Sequence, residues 1–110
     1  MSYPIIDLAL EKTEANKMQW LVTARETQYL AVVPEPNGQG PLMFYLTKAG
    51  EGLFLLTVKD ENGAECARAF SEDLAEEDRE RLAFLFRIAE GQARGPGSKV
   101  DLVEEALRKL

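Results

Sequence analysis

Between residues 71 and 91, in the stretch SEDLAEEDRERLAFLFRIAEG, apolar side chains recur with a helical period, and no other part of the chain constrains the fold as tightly. At about 100° per residue, Ala75, Leu82, Leu85, Phe86 and Ala89 fall on one stripe with Leu74 at its flank, which predicts a long helix lying against a sheet. Ser71 stands where a helix cap is needed, and Glu72 and Asp73 stand where the helix dipole favours negative charge. Gly91 is placed to end the helix just past its last turn.

Two features of this helix exceed what core packing requires. Phe84 and Ile88 project away from the stripe, so the last two turns are apolar nearly all round and need a cover. That cover is either a C-terminal helix of the same chain or a partner or second subunit. The other feature is the acidic run Glu72, Asp73, Glu76, Glu77, Asp78 and Glu80, interrupted by Arg79. By default such a run is a solvated helix face; beside Phe84 and Ile88 it is also a candidate contact surface.

Upstream, residues 1–17 are read as a helix: PIIDLALEKTEANK is rich in helix formers, Ser2 suits a cap, and Pro4 suits the first turn. Ile5, Leu8, Ala9 and Ala15 make a partial helical stripe, whereas Ile6, Leu8 and Leu10 alternate as a strand would. Residues 18–70 are read as an antiparallel sheet of about five strands, at 18–25, 28–34, 42–48, 53–59 and 64–70. Glu26 and Thr27 join the first two as a hairpin, EPNGQGP is a loop, and Gly-containing turns at 49–52 and 60–63 make the last three strands a meander. Leu53 to Leu56 are apolar without a break and residues 42–46 are similar, so the middle of the sheet is expected to be covered on both faces. Either the N-terminal segment and a C-terminal helix share the second face, or another subunit or a partner supplies it. On the outermost strand, Arg68 is placed to discourage strand addition and Cys66 is read as a small buried apolar group.

Residues 92–98 read as a Gly/Pro linker, and 99–110 as a short helix opened by Ser98 and Asp101, with Val100, Val103, Leu107 and Leu110 on its apolar face. The expected architecture is a single α+β domain over residues 1–110: an antiparallel sheet packed on a long helix near the C-terminus, with an N-terminal helix and a short C-terminal helix. At 110 residues, with 45% hydrophobic and 29% charged side chains, such a chain can build a core without disulfides or a structural metal.

Chemistry is sparse. The chain has no histidine, which removes the commonest general base near neutral pH and the usual zinc and non-haem iron ligand sets; the single cysteine, Cys66, has no histidine to activate it and no cysteine to pair with. The loop at 36–41 lacks the Lys-Ser/Thr that would follow in a phosphate-binding loop, and residues 95–99 read as linker in preference to an anion site. Asp60 and Asn62 match the opening of a calcium loop, but Gly63 comes too early and no bidentate glutamate follows. Trp20, Tyr29, Phe44, Tyr45 and Phe54 are read as core, with a ligand-binding cavity as the alternative. No catalytic residue, cofactor or metal is expected.

Nineteen acids against thirteen bases give a net charge of −6, which argues against direct nucleic-acid binding and suits a partner with a basic surface. The N-terminal residues carry no secretory pattern and no run approaches the roughly 20 apolar residues of a membrane span, so a cytoplasmic location is expected. The functional expectation is a non-enzymatic inhibitor or adaptor that occludes a basic surface on a protein or protein–nucleic acid complex through Glu72, Asp73, Glu76, Glu77, Glu80, Phe84 and Ile88. Where that surface normally holds nucleic acid, the chain would compete as a charge mimic, the mode of some phage-borne inhibitors of host defence such as anti-CRISPR proteins. The alternative expectation is a homo-oligomeric structural or accessory subunit, for instance a homodimer, joined through the C-terminal helices.

Overall fold

A computed structural model describes residues 4–34, 40–94 and 107–109. Its elements are helix α1 (Pro4–Glu14), strands β1 (Leu21–Val22), β2 (Gln28–Val33), β3 (Leu42–Gly50), β4 (Leu53–Lys59) and β5 (Glu65–Phe70), a 3₁₀ turn (Ser71–Asp73) and helix α2 (Glu76–Arg94). The five strands pair antiparallel in chain order, so the α+β reading with a five-stranded antiparallel sheet holds.

Helix α1 stops at Glu14, short of the expected Lys17, for a local reason. Asn16 adopts a left-handed backbone with φ of 60°. The Asn16 N–H then donates to the Thr13 carbonyl at 3.1 Å and the Lys17 N–H to the Lys12 carbonyl at 2.9 Å, the paired bonds that close a helix C-terminus. Asparagine tolerates this conformation better than most residues with a Cβ. Strand β1 is also shorter than expected, because Thr23 leaves the ladder: its hydroxyl accepts from the Arg25 N–H at 3.1 Å and lies 3.3 Å from the Gln28 carbonyl. The hairpin link therefore spans residues 23–27, not Glu26 and Thr27 alone.

Register sorts the strand residues onto two faces. Tyr29 pairs with Leu46, Leu46 with Leu56, and Leu56 with Ala69; all four are buried on the face that meets the helices. Phe86 from α2 enters this layer, its ring centroid 5.4 Å from that of Tyr29 and 4.9 Å from that of Phe54, in tilted arrangements that suit aromatic quadrupoles. Leu82, Leu85, Phe86 and Ala89 are buried as the helical spacing predicts, joined by Ala93 and by Asp78. Trp20, Tyr29 and Phe54 lie in this core and Phe44 packs against it, whereas Tyr45 points to the other face.

The helix start differs from expectation. Ser71 is not the cap of α2: the chain makes a 3₁₀ turn at Ser71–Asp73, passes through extended backbone at Leu74 (ψ 151°), and begins α2 at Glu76. That break also moves Ala75 out of the stripe, leaving it exposed. Ser71 is fully buried and bonds Phe54 twice, accepting from its N–H at 2.9 Å and donating to its carbonyl at 3.0 Å. It thereby supplies the next rung of the β4–β5 ladder, after β5 has ended at Phe70. Arg79 reaches back to accompany the turn, donating to the carbonyls of Ser71 and Leu74, both at 3.3 Å.

The helix end differs too. Gly91 is a mid-helix residue, and α2 continues through the first part of the expected linker to Arg94. Arg94 explains the extension: it donates to the Tyr29 hydroxyl at 2.9 Å and to the Glu26 carbonyl at 3.3 Å, and lies over the Tyr29 ring. Of the expected linker and C-terminal helix, residues 95–106 and 110 lie outside the described residues; Leu107 is exposed.

The two helices share one face of the sheet. Arg81 of α2 meets Asp7 of α1 at 3.5 Å, and Gln92 donates to the Thr13 carbonyl at 3.3 Å and accepts from the Trp20 N–H at 3.4 Å. The N-terminal segment therefore stands beside α2 and does not cover the second face of the sheet.

Candidate functional site

The expected contact residues divide into two groups. Glu77, Glu80, Arg81 and Phe84 line one open groove of about 340 Å³ at the start of α2. Their spacing of three, four and seven residues places them on a single helix face. Phe84 is 44% exposed, a high value for a phenyl ring. Glu72, Asp73 and Glu76 are exposed nearby without lining the groove, the first two on the 3₁₀ turn and not on α2; Ile88 is half-buried.

Arg81 was not anticipated from sequence, yet it decides the electrostatics. Its guanidinium lies 3.2 Å from the carboxylate of Asp78, which is buried, and 3.5 Å from that of Asp7. Two acids already engage this one base, so Glu77 and Glu80 present their charge outward beside an aromatic face. Arg81 directly follows the acidic run and pairs with Asp78 on its own helix, but its second partner, Asp7, lies on another helix, a contact for which sequence spacing gives no signal.

The opposite face of the sheet is the second candidate surface. Leu21, Leu30, Tyr45, Thr57 and Arg68 form one cross-strand row over the five strands. Val32, Met43 and Lys59 form a row on one side of it, and Gln28, Thr47, Leu55 and Phe70 a row on the other. Leu21 and Val32 are each 50% exposed. Neither α1 nor α2 lies on this face. The unbroken apolar run in β4 signalled its greasiness; of the two covers expected, the structure corrects the share given to the N-terminal helix, which packs beside α2.

Other singled-out residues resolve into local structure. Asp60 spends its carboxylate on its own turn, accepting from the Asn62 and Ala64 N–H groups, both at 2.9 Å, while Gly63 takes the positive φ of 85° that the turn requires. Cys66 is exposed, not buried: the register slips between Val58 and Lys59, so Cys66 is the extra residue of a β-bulge. Arg68 is exposed on the edge strand and pairs with Glu65 at 2.8 Å. Among the described residues no group of three or more acids or cysteines is placed to hold a metal ion, and no helix is long and apolar enough to cross a membrane. No protein-family model, curated protein or solved structure matches the chain.

Proposed function

We propose that this chain is a non-enzymatic protein-binding module, an inhibitor or adaptor that seats the acidic start of α2 against a basic surface of a macromolecular partner. The observation that carries the reading is the groove in which Glu77 and Glu80 flank the exposed ring of Phe84 while Arg81 is held by Asp7 and Asp78. An aromatic anchor ringed by uncompensated acids is the arrangement that binds a Lys/Arg-rich surface, with charge steering the encounter and the desolvated ring slowing departure. On a partner whose basic surface holds nucleic acid, the chain competes for that surface and does not itself bind the phosphate backbone.

Reversing Glu76, Glu77 and Glu80 to Lys tests this directly. In affinity capture from nuclease-treated lysate of the native source, the unaltered chain is expected to retain a stoichiometric partner and the reversed chain to lose it. Retention should also weaken steeply with salt, since the screening length shrinks from about 8 Å to about 3 Å between 0.15 M and 1 M. Equal retention by both chains sinks the reading.

A further inference from the structure

The sheet face away from the helices is unlike the rest of this acidic chain. Its cross-strand rows carry Leu21, Leu30, Val32, Met43, Tyr45 and Leu55, and its charged groups are Lys59, Arg68 and Glu65, two bases and one acid on a protein of net charge −6. We propose that a second copy of this chain covers this face, outer sheet against outer sheet, in a two-fold homodimer.

Charge permits this occupant. Two copies of a −6 chain repel when their acidic sides meet, and the outer sheet, with two bases against one acid, is the side on which that repulsion is weakest. Several polar groups there already have partners: Gln28 donates to the Thr47 hydroxyl at 3.2 Å, Arg68 pairs with Glu65, and Lys59 lies over the Tyr45 ring.

Area points the same way. Five strands about 4.8 Å apart and about 3.3 Å of rise per residue give each face a plan area on the order of 500 Å². Two such faces reach the roughly 1,000 Å² that a stable interface requires, before the corrugation of the side chains is counted. Edge-to-edge growth is the competing route for sheets, and both edges oppose it. The β1 ladder is two residues long, and β5 carries the Cys66 bulge with Arg68 and Glu65 exposed beside it. The interface is thus distinct from a self-contact through the C-terminal helices.

The test is molar mass by light scattering and sedimentation on the full chain over a concentration series. The unaltered protein is expected at twice its 12.3 kDa chain mass. Val32→Glu and Leu21→Glu, each at a half-exposed site that a monomer tolerates, are expected to yield folded monomers with unchanged far-UV circular dichroism. Phe84→Glu, on the helix side, is expected to leave the dimer intact. Should a glutamate variant unfold, the near-isosteric and strand-favouring Val32→Thr reads the same interface as a weakened dimer. A monomeric unaltered chain, which would leave the face to the chain's own C-terminal segment or to a foreign partner, overturns the proposal. So does an open-ended assembly, a dimer that survives Val32→Glu, Leu21→Glu and Val32→Thr, or a dimer lost with Phe84→Glu.

Discussion

Buried hydroxyls make the decisive contacts at the residue scale. The Trp20 indole N–H donates to the Thr13 hydroxyl at 2.9 Å with both residues buried, so Thr13→Val keeps the shape and strands the donor. The expected cost is about 1–3 kcal/mol, read as a lower denaturation midpoint with an unchanged slope. Ser71→Ala strands both backbone groups of Phe54 and is expected to cost at least as much, about 2–4 kcal/mol. A replaced helix cap would cost about 1 kcal/mol, so the same measurement separates the two roles of Ser71. Sequence pattern favoured the cap because serine before an acidic run is the usual helix start. The structure assigns it otherwise for a physical reason: water can satisfy an exposed helix terminus, whereas the Phe54 amide and carbonyl, buried where β5 has ended, both bond to the Ser71 hydroxyl.

Among the secondary-structure elements, periodicity carried what was legible. Leu82, Leu85, Phe86 and Ala89 occupy the core as their spacing requires, and the meander of β3, β4 and β5 follows from turn residues such as Asp60 and Gly63. Element ends were not legible, because contacts distant in sequence set them. Arg94 extends α2 through its bond to Tyr29, over the stop that Gly91 suggested. A Cβ at Gly91 would meet nothing within 4 Å, so Gly91→Ala is expected to stabilise the protein by about 0.5–1 kcal/mol in thermal or chemical unfolding. Destabilisation would mean that Gly91 takes a left-handed conformation and ends the helix after all.

At the scale of the molecule, α1 and α2 lie on one face of the sheet, and the two candidate contact surfaces lie on opposite sides of the described residues. Glu77, Glu80 and Phe84 were legible as neighbours because local spacing on one helix brings them together. The charge balance of the groove was not, since Asp7 reaches Arg81 from another element. The apolar outer sheet was legible as a face in need of cover, but which element covers which face depends on where the N-terminal helix docks, and pattern does not encode that. Separate surfaces should fail separately. Affinity capture run in parallel on Glu77→Lys/Glu80→Lys and on Val32→Glu tests this arrangement most directly: the helix variant is expected to lose the partner, and the sheet variant to keep it. Partner loss with Val32→Glu and retention with the reversed helix would contradict the account, placing recognition on the sheet and returning the acidic start of α2 to a solvated face.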